Sequence, residues 1–504
     1  METITDAATR HGLERPGGAA LADDRFRLSW AEAVTWMEAT AGWLVDQGFA
    51  RGRPVVAWLP KCVEWNLLRL ACERGGYPFI PVPASQGMRE MTSILERMNP
   101  ALLVSKGKFR RRDYQAEGDE ICASLAEAPA RLTLPESELP QLLGPAPAPE
   151  TALGLDEMVH ALPTSGSEGI PKIGYYTGQA AGQRALGQIE ILGLKPDDKF
   201  LVLSHGPGPA RPAWLGAPMA GACIHAMPIF SAEKAVQLIA SEKPSLVCAT
   251  PAQLAMMAPD LDEANTASIR IWYTSGAVMP ASLADELESI SSASVVSTYG
   301  GADFGGWACP APDDPPHIRR HTVGKARGGS EFRLVDDQGQ DVPKGETGQL
   351  IGRGPCCVEG YLGEAGRDSW QDGWFQTGDL ASRDDAGNIS IIGRVKNVIL
   401  RGGDNVIPIE IEALLRTHPD IAQLAVVGVP DPVLGERVCA CVVPRAGKGL
   451  ELDPLRQYLL EQGISHYKVP ERMIILEDLP IVGDKVDLRT LGDLAARMTS
   501  EAAG

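Results

Sequence analysis

No C-x-x-C pair occurs among the ten cysteines of this 504-residue chain, and its histidines do not cluster, which excludes a zinc site of ordinary ligand spacing and a thioredoxin-type redox motif. Scattered from Cys62 to Cys441, the cysteines read as reduced, mostly buried thiols. There is no long basic run, and 47 Lys+Arg stand against 65 Asp+Glu for a net charge of −18, so a nucleic-acid or anionic-membrane surface is disfavoured. The opening residues Met1-Glu2-Thr3-Ile4-Thr5-Asp6 carry neither a basic nor an apolar leader segment, and no uncharged apolar run approaches spanning length. The expectation is a cytoplasmic protein with no membrane partner. No internal repeat is visible, and a phosphate loop of the G-x-x-x-x-G-K-[ST] spacing is lacking.

What is present is an ordinary globular mixture, 44% apolar and 22% charged, in a chain too long for one hydrophobic core. Ser29-Trp30-Ala31-Glu32 forms a capping box, and Trp30, Val34, Met37, Ala41 and Leu44 follow at helical spacing until Gly48. An apolar run at 55–59, a helix at 63–74 and a run at 79–82 set an alternation that resumes after residue 200: strands at 200–203, 246–249 and 269–273, with helices at 231–239 and 280–290. This is the rhythm of a layered, mostly parallel α/β sheet domain, in which ligands sit beyond the carboxyl ends of the strands. Residues 126–153, rich in Pro and Ala, read as a surface connection. Short alternating runs between turn signals indicate a small β subdomain at about 320–393. The remaining residues, 394–504, return to mixed α and β and make a separate small α+β domain.

Four stretches have the composition of a site. Leu162-Pro163-Thr164-Ser165-Gly166-Ser167-Glu168-Gly169-Ile170-Pro171-Lys172 gathers hydroxyls, glycines and a lysine into one turn, suited to wrap N–H groups and a cation around a polyphosphate. Tyr299-Gly300-Gly301-Ala302-Asp303 sets an aromatic face and a carboxylate at a strand end, a pair that can stack on a base and hold Mg²⁺. Trp374-Phe375-Gln376-Thr377-Gly378-Asp379 puts a carboxylate in a tight turn, where it can accept both hydroxyls of a ribose. Gly393-Arg394-Val395-Lys396 joins the two major regions. Singly, each is also a plain turn or a surface ion pair.

In this order, with Pro408-Ile409-Glu410-Ile411-Glu412 following, the stretches resemble the adenylate-forming superfamily of acyl-CoA synthetases, luciferases and peptide-synthetase adenylation domains, over nearly the whole chain. The resemblance implies an N-terminal adenylation core at 1–393 and a mobile C-terminal domain at 394–504 turning on a hinge at Lys396. It implies ATP contacts from Thr164, Ser165, Gly166, Ser167, Glu168, Gly169, Lys172, Gly276, Ala277, Tyr299, Gly300, Asp379, Ile391, Arg394 and Lys485, with Mg²⁺ at Asp303. Catalysis is assigned to Lys485, Lys172, Asp303 and His205, and the acid pocket to His205, Gly206, Arg211, Ser275, Gly301 and Ala302. The implied reaction has two steps: a small carboxylic acid attacks the α-phosphate of ATP to give an acyl-adenylate, then the thiol of coenzyme A or a carrier protein displaces AMP. Aligning two anions that otherwise repel is the physical task of the first step.

Similarity is greatest to the aryl-acid ligase branch, including the 2,3-dihydroxybenzoate-adenylating enzymes, so the acid is expected to be small and aromatic or cyclic. Gly206 replaces the asparagine that contacts ring hydroxyls in that branch and Arg211 replaces a nearby serine, which argues against a catechol acid; Arg211 either faces an anionic or polar substituent of the acid or points to solvent or an acidic neighbour. Glu168 stands where the family has Thr or Ser, Asp303 is one methylene shorter than the usual glutamate, and Asp484 replaces the glycine before Lys485. These departures admit two alternatives: a diazotase-like offshoot adenylating nitrite for an aryl amine, and a degenerate binder of nucleotide or acyl groups. A monomer or homodimer is expected.

Overall fold

The computed structural model describes residues 1–501 except 137, 165–171, 205–207, 209, 303, 364–365, 403 and 483–484, and for 164, 405, 482, 485, 500 and 501 it describes the backbone alone. The chain forms two compact units: residues 1–332 with 352–376, and residues 333–351 with 377–504. It passes between them within strands Glu331–Val335, Gly348–Arg353 and Trp374–Arg383.

The first unit is built on two sheets. Among the described residues nine strands make one of them, where Lys199–Val202, Cys223–Ala226, Leu246–Ala249, Ile271–Ser275 and Ser294–Gly300 lie parallel and Trp307–Cys309 and Lys325–Arg327 continue antiparallel. At the other end Ala19–Ala22 pairs in parallel with Cys223–Ala226. Val247, Trp272 and Val295 fill one face beneath the helices Ala232–Glu242 and Ala281–Ile290, whose Ala235, Ile239, Leu283 and Leu287 complete that core. Neighbouring strands buried on both faces explain the continuous apolar runs.

The second sheet has seven strands among the described residues, with Val55–Leu59 central between Phe79–Pro83 and Leu102–Lys106. Its outer strand Ala130–Leu134 corrects the reading of 126–153 as a plain surface connection. The run Ala130-Arg131-Leu132-Thr133-Leu134 alternates weakly, and only its last residue is buried, which is why composition hid it. On the opposite side Met158–Thr164 pairs antiparallel with Lys172–Thr177, Thr164 facing Lys172, so the stretch read as a phosphate loop is flanked by two paired strands.

The helix Trp30–Asp46 carries the capping box read from sequence, with Ser29 accepting from the Glu32 N–H and Glu32 returning the bond. Its Gly42 meets the backbone of 144–145 directly: a Cβ there would lie 2.0 Å from the Pro145 carbonyl oxygen and 2.7 Å from the Gly144 carbonyl carbon. Alanine is the better helix former by about 1 kcal/mol, but a backbone overlap of this size costs about 1–3 kcal/mol and wins. G42A is therefore expected to melt several degrees below wild type in calorimetry, and a higher melting temperature would refute the close approach.

In the second unit, strands Ile421–Asp431 and Gly435–Pro444 form a long antiparallel pair, with Arg472–Ile475 parallel to the latter. Alternate residues face opposite ways, as strand geometry requires. Val438, Ala440 and Val442 pack with Ile411, Leu415, Leu455 and Leu459 from the helices Pro408–Leu415 and Leu452–Glu461. Cys439, Cys441 and Val443 pack with Leu491 and Ala495 of Leu488–Glu501. All ten cysteines of the chain are free thiols and nine are buried, as composition indicated.

Candidate active site

The site residues of the first unit gather at strand ends. Lys172, the first residue of its strand, is half-buried and its Nζ donates to Ser369 Oγ at 2.8 Å. Ser275 closes the strand Ile271–Ser275 and is buried; Gly276 follows at φ +90°, a left-handed turn that glycine makes without strain, and Gly276 and Ala277 are exposed. Tyr299 and Gly300 end the adjacent parallel strand, and the Tyr299 ring meets Phe332 edge-on at 6.1 Å.

The turn that follows is held from below by buried cations. Arg211 Nη2 donates to the Gly301 carbonyl at 3.2 Å, the Ala302 carbonyl at 3.4 Å and the Tyr176 hydroxyl at 3.0 Å. Tyr176 in turn donates to the Ala302 carbonyl at 2.6 Å. Arg184 Nη1 donates to the Gly305 carbonyl at 3.0 Å with its guanidinium 4.1 Å above the Trp307 ring, and burial lowers its pKa to about 10. Gly305 is irreplaceable here, since at φ +85° a Cβ would lie 2.2 Å from the Cys356 carbonyl oxygen. Arg211 thus fixes residues 301 and 302, a role the sequence did not disclose. R211K keeps the charge but loses the planar fork. It is expected to lower kcat/KM for the acid on the order of tenfold, equivalent to about 1.4 kcal/mol, and an unchanged value would show that the clamp does not matter.

Behind that turn lies an aromatic cluster that sequence reasoning missed. The buried His160 ring stacks on Tyr176 at 4.8 Å and meets Trp214 edge-on at 5.0 Å, and Trp214 meets Trp65 at 5.7 Å. Trp214 lies in a single π-helical turn, Pro212–Gly216, directly after Arg211. Burial, then the charges of Arg69 and Arg211, push the His160 imidazole well below its usual range and keep it neutral. No motif marks these residues, because their partners lie far away in sequence.

In the second unit Asp379 and Arg394 face each other across the antiparallel pair Trp374–Arg383 and Ile389–Arg394. Arg394 Nε donates to the buried Asp379 carboxylate at 2.6 Å, the Asp379 N–H donates to Thr377 Oγ1 at 3.0 Å, and Gly378 takes φ +70° to make the turn. Ile391 is half-buried in the second of these strands. Lys396 is exposed in the 3₁₀ turn Val395–Asn397. Arg401 is held by the Glu471 carboxylate through two bonds of 2.9 and 2.8 Å. Lys485 opens a two-residue strand in register with Val482. Its side chain lies outside the described residues, as do the side chain of Thr164 and the whole of Ser165, Gly166, Ser167, Glu168, Gly169, His205, Gly206 and Asp303.

Among the described residues no three His, Cys, Asp or Glu side chains are placed to hold a metal ion. Also among the described residues, no helix is long and apolar enough to cross a membrane.

Comparison with known proteins agrees with this architecture. The AMP-binding enzyme family matches residues 8–362 and the AMP-binding enzyme C-terminal domain matches 410–483. An indoleacetate–CoA ligase of Aromatoleum aromaticum is 31% identical, over 98% of this chain and 99% of its own. A salicylyl-CoA synthase / salicylate adenylyltransferase of a Streptomyces species is 30% identical, over 94% and 90%. ATP-bound MatB from Rhodopseudomonas palustris shares the fold at 23% identity and a TM-score of 0.89, covering 99% of this chain and all of its own. The chain belongs to the AMP-binding enzyme family.

Proposed function

We propose that this protein adenylates a small aromatic or cyclic carboxylic acid and passes the acyl group to the thiol of coenzyme A. The coarser part, AMP-forming ligation of an acid to coenzyme A, follows from the family and from its full-length ligase relatives. The finer part rests chiefly on one observation, the ring cluster of His160, Tyr176 and Trp214 beside the Arg211-held turn. Aromatic rings present flat faces of the kind an aryl acid stacks against. The relatives that act on indoleacetate and salicylate support the same choice.

In the first step a carboxylate oxygen of the acid attacks the α-phosphorus and pyrophosphate leaves; in the second the thiolate attacks the acyl carbon and AMP leaves. Lys172 is assigned to the phosphates, Asp379 to the ribose hydroxyls, Arg211 to positioning the turn at 301–302, and Lys485 to the charge that develops between the reactants. Mg²⁺, when bound, neutralises phosphate charge. The free, buried thiols accord with work in the reducing cytoplasm.

Pyrophosphate release decides among the readings. Benzoate, salicylate and indoleacetate are each tested with ATP and Mg²⁺, with and without coenzyme A or a pantetheinylated carrier protein. Acid-dependent release lost in K485A, with a coenzyme A thioester formed, is the expected outcome. Release that needs nitrite plus an aryl amine and ignores acids would establish the diazotase-like alternative, and binding without release the degenerate one.

A further inference from the structure

Lys61 is the most conspicuous charge of the first unit that the reaction above leaves unused. It is 6% exposed, and its Nζ has no hydrogen-bond partner among the described residues. The ammonium sits 3.2 Å above the Trp65 ring and 5.5 Å from that of Trp214. Those ring contacts offset only part of the cost of taking an ammonium out of water. Methionine would fill a similar volume with no such cost.

The surroundings make the imbalance worse. Arg69, whose charge acts on Lys61, is also buried, and among the described residues the carboxylate it meets is that of Glu73, at 3.3 Å. Arg69 Nη1 donates to the Trp214 carbonyl at 3.1 Å. The rings of Trp214, His160 and Tyr176 lead in successive contacts from Lys61 to the turn at 301–302.

We propose that Lys61 is the counter-ion for a second anionic group on the acid substrate, bound at the end of the aromatic cluster opposite the carboxylate that is activated. The assignment rests on the aryl-acid reading and narrows it to acids with two anionic groups separated by a ring. Burial, then the charge of Arg69, lowers the Lys61 pKa well below the usual range, opposed only by neighbouring Cys62. An anion bound beside the amine raises that pKa again, so binding and proton uptake are linked.

Two pairs of acids test this, benzoate with terephthalate and phenylacetate with 4-carboxyphenylacetate, in ATP–pyrophosphate exchange on wild type and K61M. Wild type is expected to favour the dianion of each pair, and K61M to reduce that preference about 30-fold or more while melting no lower than wild type. An unchanged preference overturns the proposal. Calorimetric titration of terephthalate in two buffers of different ionisation enthalpy adds a readout independent of turnover. Proton uptake by wild type, absent in K61M, supports the role of Lys61 even where no acid supports exchange and the ligase reading fails. Equal binding by both proteins, or by neither, overturns it.

Discussion

D379A is expected to lose roughly 10²- to 10⁴-fold in kcat/KM for ATP while its fold survives. In the proposed role the Asp379 carboxylate accepts from two ribose hydroxyls; such bonds are worth about 1.5–3 kcal/mol each, and alanine removes both acceptors. The contact given up within the protein is cheap by comparison. Arg394 is 51% exposed, and a solvent-screened pair of this kind contributes at most about 1 kcal/mol. Steady-state kinetics with ATP varied, beside a urea melt, separates the two effects. An activity loss matched by a collapse in stability would remove Asp379 from the nucleotide site.

The largest stability effect is expected at Glu64. Its carboxylate, 1% exposed, accepts from Lys106 Nζ and from Arg25 Nη2, each at 2.6 Å. E64Q leaves the buried Lys106 charge without its counter-ion, which costs about 3–5 kcal/mol by urea unfolding at neutral pH. In the double variant with K106M most of that loss returns, because no unpaired charge remains. Burial alone would raise the Glu64 pKa, but the Arg25 hydrogen bond and the Lys106 charge outweigh it and hold the carboxyl below its usual value. A carboxyl depressed in the folded state stabilises above its unfolded pKa of about 4.3, and that stability is lost as pH falls through the folded value. The deficit of E64Q relative to wild type therefore shrinks in acid. A deficit independent of pH would mean that the pair contributes through packing alone.

Local signals were legible in the sequence wherever they are complete within a few residues. The capping box at Ser29 and Glu32 is one, and the apolar runs at 55–59 and 246–249 are the strands Val55–Leu59 and Leu246–Ala249. Asp379 and Arg394, drawn from separate motifs, prove to be register partners. What escaped notice depends on distant partners. The strand Ala130–Leu134 is defined by its pairing with Leu102–Lys106, not by its own composition. His160, Tyr176 and Trp214 carry no motif spacing and meet only after folding. Arg211 was identified as unusual, but its bonds to two backbone carbonyls and a tyrosine hydroxyl follow from the path of the chain at 301–302, which side-chain identity does not encode.

The parallel pairing of Ala19–Ala22 with Cys223–Ala226 sets a timetable for biosynthesis. The first of these strands leaves the ribosome about two hundred residues before its neighbour exists, so one border of the larger sheet waits unzipped while the rest is translated. At about 5–20 residues per second that interval lasts on the order of ten to forty seconds. During it the apolar Ala20, Leu21 and Ala22 are available to chaperones or to other nascent chains, and slower translation prolongs the exposure.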